Sequence, residues 1–328
     1  MKRALTALFS VAKATLLEGL QQPAVLLLAL ACMELTALQP VLQLHTFGEE
    51  GRLTRDCGMG FFLVFGVLAA ALTAGFTLAA EIRDGTAATA LAKPAGRAAF
   101  LLGKFLGAVG VVFALCWCSL WEVLLAVRTS EATVQTERFY GAVRDPLCGL
   151  LSVGAPLLAL ALAALLDIRA RRRFGLWFFA FAAGLLPLAA GLLGFFDRLG
   201  GWVGLGGWSP GLDARLVPLA ILLFALLCAF CALATALTTR LQAGSALALS
   251  FLVLFLGFLA DGARAGWGAA GRVLYALVPD VQSFWLADEL ARGGRIAWRE
   301  VAGGCLYAFS WIVFALSLGH LSFRNKDL

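Results

Sequence analysis

Histidine is almost missing from this chain: His45 and His320 are the only two in 328 residues. They fall at opposite membrane faces of the arrangement read below, so no histidine pair exists for a metal centre or a protease mechanism. Charge is scarce as well, 14% against about 25% in an average soluble domain. No polar, patterned stretch is long enough to build a soluble domain. Serines beside glycines, Ser152 and Ser245, lack a nucleophile-elbow pattern. A phosphate loop is missing too: in Gly96 to Lys104 six residues separate the glycines and Phe105 follows the lysine, where a Walker motif has four and then serine or threonine. The chain therefore does not bind ATP by that route, and if it works by ATP-driven transport the ATPase must be another polypeptide.

What is abundant is apolar length, 61% of the residues. A polytopic membrane protein is the class that fits, and its all-α helical bundle follows because backbone polar groups cannot face lipid. The net charge of +6 would point to nucleic acid in a soluble chain. Here the lysines and arginines sit at the ends of apolar runs and set topology instead. The eight cysteines, Cys32, Cys57, Cys116, Cys118, Cys148, Cys228, Cys231 and Cys305, lie mostly inside apolar runs and act as small hydrophobes. Cys228 and Cys231 have redox or metal spacing without a histidine nearby. Cys57 and Cys148, near the outer surface, could pair.

Residues 1–22 are amphipathic, with Leu5, Leu8, Phe9, Ala12, Leu16 and Leu20 on one face, and read as a helix lying in the cytoplasmic interface. Eight spans follow in the permease domain 23–328, at about 23–44, 59–80, 104–127, 147–167, 174–196, 216–237, 245–260 and 300–321. The sixth and seventh form either a tight hairpin or a re-entrant element. With both termini in the cytoplasm all five lysines, Lys2, Lys13, Lys93, Lys104 and Lys326, and the Arg169, Arg171, Arg172, Arg173 cluster fall inside. Inner segments then hold fourteen basic residues and outer ones twelve, all arginines. Trp202 and Trp208 among glycines, and Trp267, Trp285 and Trp298 in the outer segment 261–299, read as headgroup anchors.

The one compact polar island runs from Glu81 to Gly107. Asp84 suits the cap of a short helix over Thr86 to Leu91, and Pro94 restarts the chain after a sharp corner at Lys93. A surface helix should thus lead into a span from Arg97 onward. Gly103, Gly107 and Gly110 give that span a small-residue face for close helix approach.

Glu81, Thr86, Lys93, Pro94, Arg97, Gly103 and Lys104, in this order and spacing, resemble the cytoplasmic coupling segment of ABC-2 type ABC transporter permeases, especially those similar to the permease of the nitrous oxide reductase maturation exporter. Ala87, Ala88, Ala90 and Ala92 are smaller than the apolar residues common there. The stretch Leu277 to Asp288 and the ending Phe323 to Leu328 are similar to the same family, whose commonest form has six spans; the pair around Asp167 to Phe174 is additional. The resemblance implies the permease subunit of an ATP-driven exporter in the cell inner membrane, a homodimer or heterodimer beside a separate ABC ATPase that carries ATP and magnesium, with segment 81–104 as coupling element. It implies no cofactor in this chain, no nucleic acid, and membrane lipid as surroundings.

Two carboxylates stand inside spans, Glu34 and Glu122. Mid-bilayer charge costs about 2.5–3.5 kcal/mol on insertion scales, so each should face a helix partner or a wet cavity. They are candidate pathway or interface residues, and the proton sites of a rival reading as a secondary transporter. Such a transporter should show broken helices in two related halves, and no repeat is visible. A membrane enzyme would need convergent polar groups, which are lacking. The substrate is not legible.

Overall fold

A computed structural model of the chain describes residues 2–43, 51–79, 81, 96–136, 139–170 and 173–324. It is helical almost throughout: α1 (Lys2–Leu20), α2 (Pro23–Leu42), α3 (Arg52–Ala74) continuing as a π-helical turn (Gly75–Ala79), α4 (Arg97–Thr129), α5 (Pro146–Ala170), α6 (Phe174–Leu193), α7 (Leu216–Leu237), α8 (Ala243–Gly266), α9 (Gly268–Leu277), α10 (Ala287–Ala291) and α11 (Trp298–Arg324). Eight of these, α2 to α8 and α11, are long and apolar enough to cross a membrane. The expected all-α multi-pass bundle is therefore present, with span boundaries within several residues of those read from sequence. The sixth and seventh runs are two helices of 22 and 24 residues, α7 and α8, each long enough to cross. Proline marks the starts of α2 and α5, where its missing N–H has no intrahelical partner to lose.

The chain divides into two compact units, 1–25, 66–113 and 218–328 in the first, 26–65 and 114–217 in the second. In the first unit small residues bring helices together. A Cβ placed on Gly75 of the π turn would stand 2.6 Å from the Ala243 Cβ of α8, and one on Gly319 of α11 would stand 3.0 Å from Ala236 of α7. Ala71, Ala74 and Ala234 continue that contact, with Leu247 against them. A second cluster gathers Leu78, Phe100, Leu101 and Phe323, with Val11 of α1 on its edge, and the rings of Phe100 and Phe323 stack at 6.0 Å. Without water to drive association, such close approach is how membrane helices gain packing energy.

α1 runs along the glycine face of α4. A Cβ on Gly103 would meet Val11 at 2.8 Å, one on Gly107 would meet Thr15 at 2.5 Å, and one on Gly110 would meet Leu16 at 3.0 Å. Leu5 and Phe9 remain exposed, as befits a helix that also faces lipid. In the 261–299 segment α9, a 3-10 turn at Gln282–Phe284 and α10 follow one another, and Asp280 Oδ1 accepts the amides of Gln282 and Ser283.

The second unit holds most of α2, the first part of α3, the last part of α4, and the packed pair α5 and α6. An antiparallel hairpin of β1 (Ala132–Thr136) and β2 (Phe139–Val143), which the span pattern did not predict, joins α4 to α5. Arg128 fixes this end: Nε donates to Asp145 at 3.0 Å, while its two terminal nitrogens donate to the carbonyls of Pro210 and Phe196. All eight cysteines are free. The pairing of Cys57 with Cys148 is thus not made: Cys148 is buried, its Sγ donating to the Leu125 carbonyl at 3.3 Å. Trp202, Trp208, Trp267 and Trp298 are exposed, where headgroup anchors belong.

Candidate functional site

Of the coupling residues read from sequence, Asp84, Thr86, Lys93 and Pro94 lie outside the described residues, as does the helix expected over Thr86 to Leu91. Glu81, Arg97, Gly103 and Lys104 are described, and three of them make specific bonds. Lys104, on the second turn of α4, is 3% exposed. Its ammonium donates to Glu81 Oε1 at 2.8 Å and to the Thr77 carbonyl at 3.1 Å, and lies 5.7 Å from the centre of the Phe100 ring. Thr77 belongs to the π turn, whose wider backbone is suited to accepting a side-chain donor. The Thr77 hydroxyl in turn donates to the Thr73 carbonyl. The end of α3 and the beginning of α4 are therefore joined through one buried cation.

Glu18 of α1 reaches the same group of charges. Its partial burial pushes the carboxyl above the ordinary value, the Lys104 ammonium pulls it back, and Glu81 pushes it up again. The ammonium itself is bonded to Glu81, and Glu18 feels it through space. Gly103, whose missing side chain makes room for Val11, is a packing position.

Arg97 points elsewhere than the motif alone would place it. One terminal nitrogen donates to the carbonyls of Phe323 at 3.2 Å and Arg324 at 2.6 Å, the last carbonyls of α11. Arg240, after α7, donates to Ser322 Oγ and to the Ser322 carbonyl, both at 2.9 Å. A helix leaves its last four carbonyls unsatisfied and its carboxyl end carries partial negative charge, so two arginines there answer both needs. Arg240 was not singled out in the sequence, because its partners are a backbone oxygen and a serine with no pattern of their own.

The two intramembrane acids belong to the second unit. Glu122 is fully buried, its Oε1 accepting the Ser152 hydroxyl of α5, while Oε2 has no hydrogen-bond partner among the described residues. Glu122 thus faces a helix partner, one of the two settings expected for it. Glu34, also in a span, is half-buried, and its Oε1 has no hydrogen-bond partner among the described residues. Beside them Cys32 Sγ and Ser119 Oγ share a 3.2 Å hydrogen bond. Among the described residues no three His, Cys, Asp or Glu side chains gather as metal ligands. No protein-family model, characterised protein or solved structure significantly matches this chain.

Proposed function

We propose that this multi-pass membrane protein is the permease subunit of an ATP-driven, ABC-2 type exporter of the cell inner membrane, working as a dimer beside two copies of a separate ATPase, with both termini cytoplasmic. The supporting observation is the buried Lys104, bonded to Glu81 and to the Thr77 carbonyl, which ties together the two helix ends that flank the coupling segment. In this reading ATPase closure pushes on residues 84–92, Lys93 and Arg97 hold the segment at the surface, and the corner at Pro94 passes the push to α4. Because Lys104 binds the end of α3 to α4, the two helices tilt as one piece. Arg97, through the carboxyl end of α11, brings the last span into the same movement. A push alone shifts nothing unless partner contacts differ between two states, so the ATPase must hold the segment more tightly in one of them.

The test is co-purification of the chain with its ATPase, together with stimulation of ATP hydrolysis in reconstituted membranes. Lys93→Glu combined with Arg97→Glu should abolish both while the chain still folds; if both persist unchanged, the coupling assignment is wrong. A second reading, a proton-coupled secondary transporter, draws on one observation, the buried Glu122 with an unpartnered oxygen and Glu34 near it. Transport that continues without ATP and collapses with the proton gradient would select it.

A further inference from the structure

Arginines crowd the end of the second unit where α3 begins and α4 ends, and four of them, Arg55, Arg128, Arg198 and Arg215, line a cavity of about 340 Å³. Among the described residues two acids, Glu131 and Asp213, share its wall. Most of this charge is already matched. Arg128 is held by Asp145 and two carbonyls, Arg215 grips Asp213 through Nε at 2.8 Å and a terminal nitrogen at 2.9 Å, and Glu131 pairs with Arg144 at 3.0 Å. The Arg215 guanidinium, outweighing the effect of burial, holds the Asp213 carboxyl below the usual range, so that pair stays charged.

Two of the arginines keep donor capacity that no described residue uses. Arg198 makes one hydrogen bond among the described residues, to the Ser130 carbonyl at 3.2 Å, and a guanidinium has five N–H donors. Arg55 is 7% exposed, yet its Nε has no hydrogen-bond partner among the described residues. Asp56 Oδ1 stands 3.5 Å from it, and Asp56 is also shared with Arg52. A buried guanidinium with an unused donor is costly unless something accepts from it.

We propose that this cavity binds a phosphate-type oxyanion, either free phosphate or the phosphate of an anionic lipid headgroup. Donors arriving from α3 and from the 194–215 loop suit an acceptor with more than two oxygens, and guanidinium forks match phosphate geometry. The cavity has room for the oxyanion and part of the group that carries it. Its position at the ends of membrane-length helices puts it at headgroup depth. The site is distinct from the coupling segment and does not rest on the exporter reading, since Arg97 and Arg128 are at opposite ends of the 33-residue α4.

The full chain in detergent is titrated calorimetrically with inorganic phosphate. In parallel, nanodiscs of phosphatidylglycerol or of phosphatidylcholine are opened in a native mass spectrometer to read retained lipid. Saturable phosphate binding that Arg198→Gln weakens at least tenfold identifies a soluble oxyanion. Phosphatidylglycerol retained on wild type and lost on Arg198→Gln, without phosphate binding, identifies the headgroup. Should Arg198→Gln fail to fold, Arg198→Lys and Arg55→Lys keep the charge but lose the fork, and should weaken either ligand. Absence of both ligands, or binding untouched by every variant, overturns the proposal.

Discussion

Lys104 shows how much a single side chain is asked to do in a membrane. Its ammonium would be prohibitively placed if it were alone, but a carboxylate, a carbonyl and an aromatic face receive it. Lys104→Met keeps the volume and removes the donor, leaving Glu81 and the Thr77 carbonyl short of a partner. The expected loss is about 1–3 kcal/mol, tempered because Glu81 keeps contact with solvent. It should read as a lower midpoint in thermal denaturation, with Lys104→Arg recovering part of it. Lys104, Arg97 and Glu122 were legible in the sequence because charge is so rare there. What they bond to was not: Thr77, Phe323 and Arg324 offer backbone carbonyls, and these leave no trace in residue identity.

Between helices the decisive atoms are those that glycine lacks. Gly103, Gly107 and Gly110 were visible as a small-residue face, and α1 as an amphipathic helix, but nothing in either pattern said that each is the other's partner. At Gly107 the fit is closest, with the Ala12 carbonyl and Thr15 both within 2.8 Å of where a Cβ would stand. Gly107→Leu should therefore push α1 off α4, at a cost of about 1–3 kcal/mol or more. Limited proteolysis would report it as new cleavage between α1 and α2, whereas Gly154→Ala, with no described atom within 4 Å of the added Cβ, should change nothing. The spans themselves were read nearly to their ends because apolar length is a direct statement about lipid. The hairpin was missed because five-residue strands between two long spans carry too few alternations to stand out.

At the scale of the whole molecule, the lysines make orientation measurable. All five belong to segments assigned to the cytoplasm. A membrane-impermeant amine reagent applied to intact cells should modify none of them and, after permeabilisation, should modify Lys93; labelling of Lys93 from outside reverses the topology. The arginines do not follow: by the same assignment the fourteen inner basic residues include the five lysines, and all twelve outer ones are arginines. That weak bias was itself a signal, since arginines kept against the positive-inside tendency ask for a use. Four of them, Arg55, Arg128, Arg198 and Arg215, line one cavity, and only three-dimensional convergence could reveal that.

The wide turn at Gly75–Ala79 sets the azimuth at which Glu81 leaves α3. It holds one residue more than an ordinary turn, and each residue of a regular helix advances about 100° around the axis. Were that surplus to slide along or be expelled, Glu81 would be swung by roughly a third of a revolution, with a rise of only about 1.5 Å. Such a shift would be a screw rotation rather than piston travel, and it would have to break the bonds from Lys104 to Glu81 and to the Thr77 carbonyl that fix the present azimuth.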